Sequence, residues 1–437
     1  MLRKCSLTLW RAVLVSVLLL GAVPVRADDY NGWFGFKKEE NRGPVRLLTT
    51  VPIPGSLKPL RGFDISFVDQ HTQLYYLADR SNASVDVVDA KTNTFVKQIF
   101  GRFAGVVFNA QGAADNARSG PNGVVAFGRW LFVTDAKSRV VTIDLTTDLV
   151  VSDVSTGGAD SLRADELAYD PQDGIILAVN NADDPSFATL ISVDKNTGKL
   201  TVGKRITFDA ASNGFDATNG AEQPVWEQGT GKFYLSIPEV DCPNPSTNPV
   251  CGGLFPDGAV VRIDPHSTGN IEAKFPVKNC QPAGLTVGPK EDLLLGCSQA
   301  FDTAGNAWSA SDANSAAPIS VIMDAVSGNI DKNVAGVSGN DEVWFNRGDG
   351  NYYLAARNQP GGPVLGIIDA KSQTLDQVVP TINTAGKANA YPSGSSHSVA
   401  VNSHNNHALV PLPANNVFPN CLNGCIAVFG VPWEDQD

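Results

Sequence analysis

Val85-Asp86-Val87-Val88-Asp89 is an alternating apolar segment that stops on an acidic turn, and the chain repeats it at intervals. Val141-Thr142-Ile143-Asp144 follows, then Ile191-Ser192-Val193-Asp194 and Val261-Arg262-Ile263-Asp264. The last copies are Ile319-Ser320-Val321-Ile322-Met323-Asp324, Gly366-Ile367-Ile368-Asp369 and Ile426-Ala427-Val428-Phe429. Period-two alternation closed by Asp, Asn, Gly or Ser is the signature of a strand and its turn. Turn sequences such as Lys195-Asn196-Thr197-Gly198 and Ala325-Val326-Ser327-Gly328 reinforce it.

A second strand precedes each copy, at 74–78, 130–134, 175–179, 232–236, 292–296, 352–356 and 407–411. A further strand precedes that one, beginning at Asp64, Gly123, Glu166, Gln223, Gly284, Glu342 and Ser398. A more polar strand follows each Asp turn, as at 95–100, 149–154 and 200–208. Four strands repeated seven times predict an all-β protein, a seven-bladed β-propeller. The seventh copy runs out of chain after three strands, near Pro432, while Pro44–Val51 (PVRLLTTV) has the outer-strand pattern and no local partner. The expected closure is therefore an N-terminal strand paired into the last blade, which leaves no free seam. The propeller domain is assigned to residues 44–437.

What lies before it reads as targeting. Arg3, Lys4 and Arg11 flank the start of the apolar stretch 12–23, and Val25-Arg26-Ala27 has the small-residue pattern of a cleavage site. Residues 1–27 are read as a signal peptide and 28–43 as an N-terminal extension, so export to the periplasm or beyond is expected, without membrane insertion. Of the 33 basic residues four (Arg3, Lys4, Arg11, Arg26) fall in that segment, so 29 face 45 acidic ones, a net charge near −16. Such a surface repels phosphate backbones, which argues against nucleic acid and for a small-molecule partner. Six cysteines remain in three neighbouring pairs, Cys242/Cys251, Cys280/Cys297 and Cys421/Cys425, and an even count in an exported chain reads as three disulfides.

The blades resemble YVTN and NHL-type propeller repeats, as in Gln281-Pro282-Ala283-Gly284-Leu285-Thr286-Val287 and 81–89. That resemblance implies a fold and leaves function open, because such propellers host enzymes and binding modules alike.

The long loops are 101–120, 209–220, 239–256, 298–318 and 412–424, and on a propeller all of them, with all three cysteine pairs, open on one face. On that face the inner strands begin with Phe63-Asp64, Asn122-Gly123, Asp165-Glu166, Glu222-Gln223, Ala283-Gly284, Asp341-Glu342 and His397-Ser398. Clustered carboxylates raise one another's proton affinity unless a cation sits among them, so a divalent metal is expected: Ca²⁺ or Mg²⁺ with oxygen ligands alone, Zn, Mn or Fe if His397 joins. Gluconolactonase and paraoxonase propellers, which this ring resembles more weakly, place a metal at inner-strand starts. By that resemblance the ligands are Glu166, Glu342 and Asn122, with Asp64 and Glu222 in reserve. His397 is then the catalytic acid/base of a metal-assisted hydrolase or lyase acting on a small organic molecule at the channel mouth. The alternative is a non-catalytic propeller that recognises a protein or glycan through the disulfide-stapled loops. A third option, pairing of the acids with Arg61 and Arg163, requires neither.

Overall fold

The computed structural model describes residues 43–158, 162–267, 271–302, 305–307, 319–381 and 396–432. The proposed signal peptide and nearly all of the proposed extension lie outside these residues. Among the described residues, twenty-eight strands form seven four-stranded antiparallel sheets arranged as the blades of a ring, with almost no helix. Blade one is β2 (Ser66–Asp69), β3 (Leu74–Asp79), β4 (Ser84–Asp89) and β5 (Thr94–Ile99), from the axis outward. Blades two to six repeat that order, with inner strands β6 (Val124–Phe127), β10 (Leu167–Asp170), β14 (Pro224–Glu227), β18 (Cys280–Val287) and β22 (Val343–Asn346). The seven repeated segments of the sequence, six of them ending on Asp, are the third strands of the seven blades.

The ring closes as the unpaired N-terminal segment predicts. Blade seven comprises β26 (Ala400–Asn402), β27 (His407–Leu412) and β28 (Cys425–Gly430), and β1 (Arg46–Pro52) adds its outer edge. The register runs from Arg46 opposite Gly430 to Pro52 opposite Cys425.

Packing between blades follows from the strand period. Each blade is buried on both faces, so its inner and middle strands carry apolar side chains at nearly every position, and each interface collects residues from two neighbours. One apolar cluster joins Tyr76, Val85 and Ile99 of blade one to Val124, Leu131 and Val141 of blade two. The cluster at the closure joins Val51 of β1 and Leu409, Ile426 and Val428 of blade seven to Val68, Tyr75 and Leu77 of blade one. Hydrophobic burial thus continues around the circle without a break, a consequence of β1 being where it is.

Three disulfides form, Cys242–Cys251, Cys280–Cys297 and Cys421–Cys425, and they fit an oxidising, exported setting. Among the described residues, no helix is long and apolar enough to cross a membrane. Glu239 orders the first stapled loop: its fully buried carboxylate accepts the Thr218 hydroxyl at 2.7 Å and the Gly252 and Gly253 amides at 2.9 and 3.0 Å. Cys280 and Cys297 are fully buried at an inter-blade cluster and tie the start of β18 to β19 (Asp292–Ala300), closing a separation of 17 residues. Replacing both with alanine is expected to lower stability by about 3 kcal/mol, read from the thermal midpoint under non-reducing conditions. A midpoint equal to wild type would show that the bridge constrains nothing.

Candidate active site at the channel mouth

The site is built by one backbone device repeated blade by blade. In five blades the residue two positions before the inner strand donates its amide to the second strand of its own blade: Asp64 to Ala78 at 2.9 Å, Asn122 to Thr134 at 2.9 Å, Asp165 to Val179 at 2.7 Å, Glu222 to Ser236 at 3.0 Å and Asp341 to Ala355 at 3.3 Å. The next residue donates across to the following blade: Ile65 to Asn122 at 3.3 Å, Gly123 to Asp165 at 2.9 Å, Gln223 to Ala283 at 3.3 Å and Glu342 to His397 at 3.0 Å. Two stacked tiers result. The outer tier is Asp64, Asn122, Asp165, Glu222, Ala283, Asp341 and His397. The inner tier is Ile65, Gly123, Glu166, Gln223, Gly284, Glu342 and Ser398.

The sequence reading aligned Asp64 with Glu166 and Glu342, which is off by one residue. Asp64 belongs with Asp165 and Asp341, because its amide is the one that bonds to the second strand. The glycines have a local cause as well. A β-carbon on Gly284 would lie 2.0 Å from the Asp341 carbonyl oxygen, so blade five has no room for a side chain at that level.

The tiers enclose a cavity of about 300 Å³, whose wall includes Asp64, Arg80, Arg163, Glu166, Asp341 and His397. Its charges sort by residue type. Asp64 pairs with Arg80, Asp165 with Arg163 at 2.6 Å, and Asp341 with Arg357 at 2.9 Å. Among the described residues no ion pair reaches Glu166, Glu222 or Glu342. Burial alone would raise the pKa of Asp64, but Arg80, the His397 hydrogen bond and Arg163 together hold it well below the usual carboxylate range. Burial, with Asp165 and Asp341 nearby, pushes Glu222 up to about 8. Glu166 is pushed well above the usual range by burial and by the facing Glu342, and Glu342 by burial and Asp341.

Glu166 and Glu342 are the residues of the predicted metal set that are both buried and close enough to act on each other's ionisation. Gln223 Nε2 donates to Glu342 Oε2 at 3.0 Å, while Glu342 Oε1 is buried and receives no hydrogen bond among the described residues. Two buried carboxyls in that relation require a shared proton or a cation between them. A hard divalent ion fits this pair.

The other predicted ligands are differently engaged. Asn122 Oδ1 accepts Arg80 Nε at 3.0 Å and Nη2 at 2.7 Å, and its Nδ2 donates to the Ala164 carbonyl at 2.8 Å. Both Oδ1 acceptor sites are thereby occupied, so Asn122 serves as a partner of Arg80. Asp64 divides its oxygens between Arg80 and His397. Glu222 stands in the outer tier, held by Asn181 Nδ2 at 3.4 Å. Groups of three or more ligand atoms within 4.8 Å of one another, among the described residues, fall elsewhere: at Glu239, Cys242 and Cys251, whose sulfurs form a disulfide, and at Asp170, Asp173 and His266.

His397 is fixed from two sides. Its Nε2 meets Asp64 Oδ1 at 3.1 Å, and its ring stacks on Phe63 with centroids 5.0 Å apart and 3° between planes. His397 is part of the cavity wall. Asp64, oriented in turn by Arg80, sets the direction of the histidine, the arrangement required of a positioned acid/base.

Arg80 and Arg357 are the residues that the sequence reading missed. Each directly follows the second strand of its blade, after β3 and after β23 (Asn351–Ala356), where the chain turns at the cavity mouth. A cation immediately after a second strand was the available signal.

No family model matches the sequence, and no curated protein does. Among solved structures, a chain of Kuenenia stuttgartiensis hydrazine synthase superposes with a TM-score of 0.59 at 12% identity, covering 86% of this chain and 97% of that one. The shared feature is the propeller fold.

Proposed function

We propose that the channel mouth is the active site of a hydrolase or lyase acting on a small polar organic molecule, with His397 as the acid/base. The observation that carries this reading is the tethered imidazole: one nitrogen bound to Asp64 and the ring stacked on Phe63, in the wall of a cavity of about 300 Å³. A recognition platform has no use for a histidine so held inside a charged pocket. Asp64 keeps the ring oriented and stabilises it when protonated, while Arg163, Arg357 and Arg61 present cationic edges to polar groups of a substrate. Glu166 and Glu342 would hold a divalent cation, which when bound supplies Lewis acidity toward a carbonyl or a water. That the hydrazine synthase neighbour is an enzyme agrees with catalysis on this scaffold and transfers no substrate.

Metal content of the purified protein, before and after exposure to Ca²⁺, Mg²⁺ and Zn²⁺, tests the cation, and a panel of small esters and lactones tests turnover. Wild type is expected to retain about one equivalent at the channel mouth that the Glu166→Gln/Glu342→Gln variant loses. Turnover is expected to fall about 10²–10⁴-fold in His397→Gln. Activity undiminished in His397→Gln would overturn the assignment.

A second reading rests on a separate observation. Val250 and Leu254 beside the Cys242–Cys251 bridge, and Val417 and Leu422 beside Cys421–Cys425, are exposed apolar side chains on stapled loops. Such groups favour contact with a protein or glycan. A Leu254→Asp/Leu422→Asp variant that loses a bound partner while keeping turnover would assign binding to the loops and catalysis to the cavity.

A further inference from the structure

The inner strands run from the cavity to the opposite face. Asp170, at the far end of β10, is four residues beyond Glu166 and therefore about 13 Å from it along the strand. Its turn departs from the corresponding turn of blade one. There, Asp69 accepts the His71 amide on Oδ1 at 2.9 Å and the Thr72 hydroxyl on Oδ2 at 2.7 Å, so both oxygens are satisfied. In blade three, Asp170 Oδ1 accepts the Gln172 and Asp173 amides at 2.8 and 3.3 Å, but position 173 carries a carboxylate where blade one has a hydroxyl. Asp170 is fully buried, and its Oδ2 has no hydrogen-bond partner among the described residues. Lys195, the nearby cation, donates instead to the Pro171 and Gln172 carbonyls.

The third group comes from the neighbouring blade. His266 lies in the turn after β16 (Asp257–Ile263) of blade four, and its Nε2 stands 3.1 Å from Asp173 Oδ2. One ligand atom each from Asp170, Asp173 and His266 falls within 4.8 Å of the others. In a tetrahedral zinc shell, with metal–ligand distances of about 2.0–2.2 Å, neighbouring ligand atoms sit about 3.4 Å apart, so a modest inward movement of two exposed side chains supplies three of the four ligands and leaves the fourth position to water.

We propose that Asp170, Asp173 and His266 form a transition-metal site, Zn²⁺ by preference, that joins blade three to blade four on the face opposite the cavity. The imidazole selects against Ca²⁺ and Mg²⁺, which take oxygen ligands. A cation there satisfies the orphaned Asp170 oxygen and neutralises the facing carboxylates. It also crosslinks two blades on the face that carries none of the three disulfides.

Calorimetric titration of EDTA-dialysed protein with ZnCl₂ tests the site, in wild type and in the Glu166→Gln/Glu342→Gln background so that the central carboxyls do not contribute. About one equivalent of Zn²⁺ is expected to bind in that background, with a raised thermal midpoint and no equivalent response to Ca²⁺. His266→Ala and Asp173→Asn alter exposed side chains and are each expected to weaken binding about tenfold or more, with midpoints in EDTA equal to the parent. His404→Ala, which removes an exposed histidine elsewhere, leaves binding unchanged. No zinc uptake, or uptake indifferent to both His266→Ala and Asp173→Asn, overturns the proposal.

Discussion

Replacing Arg80 with methionine is expected to cost about 3–5 kcal/mol of stability, read from chemical or thermal unfolding, because it strands a buried charge. Arg80 is 5% exposed and holds Asp64 through one guanidinium nitrogen while bonding twice to Asn122 Oδ1. Methionine fills similar volume but leaves the Asp64 carboxylate in a low-dielectric pocket with His397 as its remaining side-chain partner. The second half of the prediction distinguishes charge from packing. Adding Asp64→Asn to Arg80→Met removes the uncompensated charge and is expected to recover a large part of the loss, a coupling that a double-mutant cycle measures directly. Equal losses in the single and double variants would show that Arg80 acts by shape alone.

Stability is expected to fall as pH rises from about 5 to 8, because the inner glutamates hold protons in the folded state that they release when unfolded. Burial, with Asp165 and Asp341 nearby, raises Glu222 from 4.5 to about 8, and Glu166 and Glu342 shift in the same direction. The sign follows from proton counting. Below 4.5 both states are protonated and the contribution is fully present. Between 4.5 and about 8 the unfolded chain binds fewer protons than the folded one, so stability declines with pH. Asp64 works the other way: held below its usual range by Arg80, it contributes above 3.8 and loses that contribution as pH falls further. Glu222→Gln and Glu342→Gln are therefore expected to be more stable than wild type at pH 8 and equal to it near pH 4.5, by thermal midpoint in EDTA. A variant destabilised equally at both pH values would sink the account.

The fold was legible in the chain itself. Alternation with period two, an acidic or small polar turn after each third strand, and a seventh blade one strand short dictated both the blade number and the role of residues 44–51. These signals are local, since strand period and turn chemistry are properties of a few consecutive residues. The pairs of cysteines were readable for the same reason, being close in sequence, two pairs on stapled loops and Cys280/Cys297 on neighbouring strands.

The site was legible only as an inventory. The sequence identified a ring of carboxylates with His397 among them, and Glu166 and Glu342 do come together. It could not decide how Arg80 and His397 would be held, because those contacts are made between blades. Arg80 and Asn122 are 42 residues apart, and His397 and Asp64 are 333 apart. The one-residue misplacement of Asp64 has the same origin: its tier is set by an amide bonded to Ala78, and strand pattern carries no record of that bond. Composition and period thus determined that acids and a histidine would surround the axis. Only the closed ring, by bringing successive blades within hydrogen-bond distance, decided that Arg80 would be anchored on Asn122 and His397 on Asp64, while the aspartate–arginine pairs form within single blades.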